Sequence, residues 1–155
     1  MKRIIFLILF TGIVFSCEKE YYTTIPKFSV YFELRLNNED FELNTDLAYK
    51  TFTQPRLEVE KGKIGYGGIL VINGMTELFA YDLACPVEAQ RNILIVPDNL
   101  SSSTSPVPTA ITATCPECGA VFNIASGAGA PQSGTKYYLR SYRVVESGMK
   151  CIVTN

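Results

Sequence analysis

The residues of this chain that could do chemistry are its cysteines. Cys115-Pro116-Glu117-Cys118-Gly119 places two thiols at C-x-x-C spacing directly before a glycine, and Cys85 lies thirty residues upstream. Glycine frees the backbone to turn so that both sulfurs point toward one place. The stretch therefore predicts a metal site or a disulfide, and the residues alone leave both open.

Other kinds of chemistry find little support in the sequence. The chain has no histidine to act as a base, no G-x-S-x-G and no phosphate-binding glycine loop. Asp82 and Glu88, beside Cys85, are expected to be solvated carboxylates bordering a loop. We expect a binding or structural role rather than catalysis, and an electron carrier if the thiols are redox-active.

The first residues have the pattern of an exported protein. Lys2 and Arg3 precede an apolar run from Ile4 to Phe15, and Ser16-Cys17 follows. A basic start, a twelve-residue apolar core and a small residue are typical of a signal peptide, here 1–16. The ending Val14-Phe15-Ser16-Cys17 resembles a bacterial lipobox, which implies that Cys17 becomes the acylated N-terminus and anchors the chain in a membrane.

The mature chain is expected to form one domain at the cell envelope. Residues 17–27 are predicted to be the lipidated cysteine with a tether, and 28–155 a single domain, a length sufficient for a core. Glu18-Lys19-Glu20 is similar to the export signals of surface lipoproteins in the Bacteroidetes, which implies the outer membrane and exposure at the cell surface. The alternative interpretation of these three residues, slightly favoured, is a solvated linker.

Charge narrows the choice of partners. Removing Lys2 and Arg3 changes the net charge from −1 to −3, and the sequence contains no basic cluster. Nucleic acid and anionic membrane surfaces are therefore poor candidates. The expected partners are the membrane, through the lipid anchor, and another envelope protein.

The remaining elements are predicted to be strands. Phe32, Leu34 and Leu36 alternate with polar residues, Ile69–Ile72 is a branched run typical of a strand buried on both faces, and Asn73-Gly74 predicts a hairpin with 77–82. Further strands are predicted at 57–60, 63–66, 92–96, 110–114, 120–124, 137–145 and 149–153, with a Ser/Pro-rich loop at 97–108. No long amphipathic helix is predicted, so the fold class is an all-β antiparallel sandwich or small barrel.

The cysteine stretches together resemble a Rieske iron–sulfur domain over residues 64–154. Cys115-Pro116-Glu117-Cys118-Gly119 with Phe122-Asn123 is similar to the second Rieske box, C-P-x-H-G-x-x-F-D, and Cys85-Pro86-Val87 lies where the first box, C-x-H, is expected. Cys118 and Val87 stand at the two histidine positions. The resemblance implies an antiparallel sandwich with a small, zinc-ribbon-like tip that carries the cysteines. Two imidazoles on one iron are required for a Rieske [2Fe–2S] cluster, so the ligand set is degenerate.

Three hypotheses follow from the resemblance and the thiols. The favoured one is a structural or binding accessory without a cofactor, in which a disulfide between the two cysteine loops replaces the cluster. The alternative is a [2Fe–2S] or zinc site that uses Cys85, Cys115 and Cys118, with Glu88 as the nearest carboxylate for a fourth ligand. Thiol–disulfide exchange by Cys115 and Cys118 is less favoured, because no helix N-terminus lowers a thiol pKa there. Cys151 is predicted to be a buried structural thiol.

Overall fold

The computed structural model describes residues 21–101, 106–147 and 150–155. The signal peptide 1–16, the acylation site Cys17 and the Glu18–Glu20 run lie outside these residues, as does the middle of the predicted loop at 97–108. No helix within the described ranges is long and apolar enough to cross a membrane.

The larger of two sheets, the base sheet, has six antiparallel strands. They are β1 (Tyr31–Leu34), β2 (Tyr49–Phe52), β3 (Ile69–Asn73), β4 (Leu78–Asp82), β9 (Ser141–Ser147) and β10 (Lys150–Thr154). The strand order is β1-β10-β9-β4-β3-β2. The β3–β4 hairpin forms at the predicted Asn73-Gly74 turn, with Asn73 opposite Leu78.

The smaller sheet, the tip sheet, carries two of the cysteines at one of its turns. It consists of β5 (Val96–Pro97), β6 (Thr112–Thr114), β7 (Val121–Asn123) and β8 (Pro131–Ser133), paired antiparallel in that order. Only short 3-10 helices, Phe41–Asn44 and Glu58–Glu60, interrupt the strands of the described chain. The predicted all-β antiparallel class with a small cysteine-bearing sheet is confirmed.

The core is divided by the base sheet into two clusters. Leu70 and Ile72 of β3 pack with Phe122 of the tip sheet, whereas Ile69 and Val71 pack on the other face with Phe32 and Phe52 among others. β3 is therefore buried on both faces, as its uninterrupted apolar sequence predicts. Cys85 and Cys115 belong to the tip-side cluster.

Some local predictions differ from the structure. Residues 57–60 form a 3-10 turn instead of a strand, and Glu60, which is fully buried there, accepts hydrogen bonds from the backbone N–H groups of Glu33, Arg56 and Leu57. A buried carboxylate needs such donors, and the turn supplies two of them. Around 63–66 only a single bridge between Val30 and Ile64 forms, and 92–96 contributes little more than β5.

Candidate metal centre

The first cysteine loop follows the end of β4. After Asp82 the chain makes a bridge between Ala84 and Leu94, and the N–H of Cys85 donates to the carbonyl of Ile93 over 2.9 Å. Residues 85–89, which we call the first knuckle, then turn back on themselves. The base sheet therefore determines where the sulfur of Cys85 lies.

The second cysteine loop connects β6 to β7. The N–H of Cys115 donates to the carbonyl of Ala120 over 2.9 Å, and residues 115–119 form the second knuckle between the two strands. Thr114 pairs with Val121 in the β6–β7 ladder, which holds both ends of this knuckle. The tip sheet therefore presents Cys115 and Cys118 to the first knuckle.

The two knuckles share one backbone conformation. In each, the N–H of the fifth residue donates to the carbonyl of the first over 2.9 Å: Ala89 to Cys85, and Gly119 to Cys115. Both fifth residues have positive φ, 51° for Ala89 and 70° for Gly119. A positive φ at alanine carries a cost that glycine does not, so the surrounding contacts must hold the first knuckle in this shape.

The knuckles bring three sulfurs together. The thiols of Cys85, Cys115 and Cys118 all lie within 4.8 Å of one another. The sulfurs of Cys85 and Cys118 are 3.7 Å apart, and the four cysteines of the described chain are free. A disulfide has sulfurs about 2.05 Å apart, so the structure holds three separate thiols where the favoured hypothesis places a bond. The disulfide stays a prediction.

Backbone donors face the two buried sulfurs in the same way. The sulfur of Cys85 receives the N–H groups of Val87 and Glu88, and that of Cys115 receives those of Glu117 and Cys118. The donors are thus the second and third residues after each cysteine. N–H groups directed at sulfur stabilise a thiolate, which is the form that binds metals.

The thiol pKa values separate within the group. Burial raises the pKa of Cys85 to about 12, although the backbone N–H groups of Glu88 and Val87 act to lower it. Burial also opposes ionisation of Cys115, but the N–H of Cys118 and the thiol of Cys85 outweigh it and leave the pKa of Cys115 below its ordinary value. Cys115 therefore ionises before Cys85, and a cation at the centre would be needed to deprotonate Cys85 near neutral pH.

The two residues at the remaining ligand positions differ in character. Val87, which stands at a histidine position of the Rieske pattern, packs against the tip-side core cluster. Glu88 is half-buried and occupies in the first knuckle the position that Cys118 occupies in the second. The carboxylate of Glu88 is not among the groups that the structure brings together with the sulfurs.

These residues do not fit a Rieske [2Fe–2S] cluster. Such a cluster needs four terminal ligands on two irons, two of them imidazoles, and the site offers three thiols and a valine. In the Rieske arrangement the residues aligned with Cys85 and Cys118 bind different irons, which would hold their sulfurs farther apart than ligands of one ion. Tetrahedral thiolates at 2.3 Å from one zinc ion lie about 3.8 Å apart, close to the 3.7 Å seen here. Three thiols with one pair at this spacing suit ligands of one tetrahedral ion, which needs a fourth donor.

Asp82 has a different role from the one expected. It is fully buried, and its carboxylate accepts hydrogen bonds from the N–H groups of Tyr66, Gly67 and Ala84 and from the hydroxyl of Tyr142. The sequence suggested a solvated loop carboxylate, because an acidic residue next to a loop is usually exposed. The structure shows instead that the hydrogen bonds of Asp82 hold the backbone immediately before the first knuckle in place.

Comparison with known proteins assigns this chain to no family. No protein-family model matches the chain, and no curated protein matches it. Among solved structures, a chain of the "Complex of reduced oxygenase and oxidized ferredoxin in carbazole 1,9a-dioxygenase" aligns with a TM-score of 0.45 and 12% identity, over 81% of this chain and 93% of that one. A likeness of this size identifies neither a family nor a function.

Proposed function

We propose that this protein is a lipid-anchored protein of the cell envelope whose Rieske-like domain holds one tetrahedral metal ion, of the zinc class, in place of an iron–sulfur cluster. Cys85, Cys115 and Cys118 supply three ligands. The observation that carries the proposal is the grouping of their sulfurs within 4.8 Å, with one pair at the spacing that a single tetrahedral ion requires.

Glu88 is the fourth ligand in this proposal. The two knuckles have the same backbone, and in the second knuckle the residue three positions after the first cysteine is the ligand Cys118. The equivalent position in the first knuckle is Glu88, whose carboxylate oxygen is an accepted zinc donor. The proposal requires the carboxylate of half-buried Glu88 to turn toward the three sulfurs when the ion binds.

A site with four protein ligands has a structural role. Closed tetrahedral zinc sites contribute folding energy and leave no position for a substrate. The ion would tie the first knuckle, which belongs to the base sheet, to the second knuckle of the tip sheet. The protein would then act by what its domain binds at the envelope, and no enzymatic step is proposed.

The envelope location is supported by the sequence of the first seventeen residues. The basic start, apolar core and lipobox-like ending would deliver Cys17 to the outer membrane as an acylated N-terminus. Metabolic labelling with a palmitate analogue tests this. We expect label in the wild-type chain and none in Cys17→Ser, and an unlabelled wild-type chain would overturn the lipid anchor.

Metal content tests the centre itself. The mature chain carrying Cys17→Ser would be purified anaerobically, and its zinc, iron, acid-labile sulfide and free thiols counted. We expect one zinc ion per chain, lost in Cys115→Ser and in Cys118→Ser. Cys151→Ala is the matched control, because Cys151 is buried in the other core cluster, and it should keep the zinc.

Other results would overturn the single-ion proposal. Iron with an equal amount of acid-labile sulfide would establish a variant cluster and electron transfer. Absence of metal together with the loss of two free thiols would establish the disulfide between the cysteine loops. Cobalt substitution adds a geometric check, since thiolate-bound tetrahedral cobalt absorbs strongly in the visible and octahedral cobalt does not.

A further inference from the structure

A group of aromatic and basic side chains surrounds the first described residues. The ring of Tyr21 packs against that of Tyr138 with centroids 4.8 Å apart, and the ring of Tyr22 against that of Tyr137 at 5.4 Å, both pairs tilted. The N–H of Tyr138 donates to the carbonyl of Tyr22 over 2.9 Å. We call this surface, with its neighbouring cations, the anchor-proximal face; its members are Tyr21, Tyr22, Lys27, Lys136, Tyr137, Tyr138, Arg140 and Arg143.

Two cavities open on this face and share Lys27 and Arg140 in their walls. One, of about 530 Å³, is also lined by Tyr21 and Tyr22, and the other, of about 400 Å³, by Arg143. No aspartate or glutamate side chain lines either cavity. Cationic walls favour an anion, most clearly in the larger cavity, because the smaller one is also lined by Asn155, the last residue of the printed sequence, whose α-carboxylate is negative.

The cations of this face are not neutralised by the protein. Within the described part of the chain the ion pairs involve other residues, namely Arg35, Lys50, Arg56, Lys61 and Lys150. Lys27, Lys136, Arg140 and Arg143 have no carboxylate partner there, although the whole chain has a net charge of −1. The fold therefore places several cations without a carboxylate partner on one face of an acidic protein. These residues are not clustered in the sequence, so the sequence argument against anionic membrane surfaces does not apply to this face.

The anchor must lie close to this face. Cys17 precedes Tyr21 by four residues, which span at most about 14 Å when fully extended. The chain is attached to the domain from Tyr22 onward, because Ile25 is buried and its carbonyl accepts the Nε–H of Arg140 over 2.7 Å. The segment predicted to be a free tether thus leaves only a few residues between the domain and an acylated Cys17.

We propose that the anchor-proximal face lies on the membrane, with the phosphates of anionic lipid headgroups in its two cavities and the tyrosine rings at the level of the headgroups. Tyrosine suits this zone because its ring is apolar and its hydroxyl polar. Each lysine or arginine near an anionic surface adds to the attraction. The proposal rests on the lipid anchor proposed above, whose short connection would hold the face against the bilayer.

Vesicle binding by the unacylated chain measures the contribution of this face to membrane binding without that of the lipid anchor. The mature chain with Cys17→Ser would be titrated to millimolar lipid with phosphatidylcholine vesicles, with or without phosphatidylglycerol, and cosedimentation measured. We expect binding only to the anionic vesicles and weaker binding at higher salt. The triple variant Lys27→Gln, Lys136→Gln, Arg143→Gln should bind about a hundredfold more weakly, at roughly tenfold or less for each charge.

A charge-matched variant provides the control. Lys61→Gln, Lys63→Gln, Lys150→Gln removes the same charge from side chains that line neither cavity, and we expect its vesicle binding to stay within a few-fold of the parent. Equal weakening by both triple variants, or equal binding to neutral and anionic vesicles, would overturn the proposed face. Palmitate labelling of the wild-type chain does not depend on either vesicle result. Failure of the proposed lipid anchor can therefore be distinguished from failure of the proposed membrane-binding face.

Discussion

The two knuckles have the same backbone conformation but different side chains. Each starts with Cys-Pro, closes with the same 2.9 Å hydrogen bond and directs two N–H groups at its first sulfur. They differ at the fourth residue, Glu88 against Cys118, and at the fifth, Ala89 against Gly119. The backbone conformation of a knuckle therefore does not depend on whether its fourth residue is a glutamate or a cysteine.

The knuckles also differ in how they are supported. Asp82, fully buried, fastens the chain before the first knuckle with four hydrogen bonds. Before the second, the donors to the half-buried Asp98 among the described residues are the hydroxyls of Thr112 and Thr114, at 2.7 and 2.9 Å. The first knuckle, with the strained alanine, has the stronger support.

Replacing the two supporting aspartates should give the largest difference between the knuckles. Asp82→Asn leaves at least one buried N–H without an acceptor, so we expect a loss of about 3 kcal/mol in the free energy of unfolding. Asp98→Asn, the control in the more exposed support, should cost about 1 kcal/mol or less. Urea denaturation of the metal-free proteins measures both, and an equal cost at the two sites would contradict the difference in support.

Changing the fourth residue tests whether the knuckles are equivalent as ligand donors. We expect Glu88→Gln to weaken zinc binding, because an amide is a poorer donor to zinc than a carboxylate. The expected loss of affinity is about 10- to 100-fold, the range seen when a residue that hydrogen-bonds to a metal ligand is replaced. Glu88→Cys should bind zinc more tightly than wild type and give a four-thiolate cobalt spectrum. Glu117→Gln, which changes an exposed glutamate in the second knuckle, is the matched control.

An unchanged zinc affinity in Glu88→Gln would remove Glu88 from the site. Competition with a chelator of known affinity, at fixed pH, measures the change. The three thiols would then bind the ion with a water or another protein ligand. The two knuckles would share a backbone conformation, but only the second would supply a ligand from its fourth residue.

Alkaline pH should weaken the support of the first knuckle alone. Burial and the negative charge of Asp82 raise the pKa of Tyr142, so the folded protein keeps a proton that the unfolded chain releases near pH 10. Stability from this proton is complete below pH 10 and is lost as the pH rises above it, by about 1.4 kcal/mol per pH unit. The threonine hydroxyls on Asp98 do not titrate.

Tyr142→Phe isolates this contribution. Its free energy of unfolding should fall less steeply above pH 10 than that of wild type, although it starts lower because a hydrogen bond is lost. Burial also raises the pKa of Tyr81, so some slope remains in the variant. Identical slopes in wild type and Tyr142→Phe would contradict the assignment.

The smallest expected effect comes from exchanging the fifth residues. Ala89→Gly should raise the free energy of unfolding by up to about 1 kcal/mol, and Gly119→Ala should lower it by a similar amount, because both positions have positive φ. A methyl group at Gly119 would meet no atom within 4 Å, so its cost is conformational only. Thermal denaturation measures both changes, and effects of the same sign would contradict a shared backbone.

Local patterns predicted many of the elements. The buried strand at 69–72, the Asn73-Gly74 hairpin and the buried thiol Cys151, which is 6% exposed in β10, are confirmed. Each depends on residues that are neighbours in sequence. The strand predicted at 57–60 is wrong because Glu60 bonds to backbone groups as distant as Glu33, a contact that no local pattern contains.

The sequence by itself determined the all-β class and the pairing of Cys115 with Cys118, since alternation, turn residues and C-x-x-C spacing are local properties of the chain. Cys85 was added to this pair by the resemblance to the Rieske pattern. Only the tertiary structure decided that Cys85 and Cys118 come within 3.7 Å, that Asp82 is buried, and that Lys27 and Arg140 share a cavity. These depend on which strands pair and which faces pack. Pairing between distant segments is selected by the burial of the whole core, which no single stretch of sequence specifies.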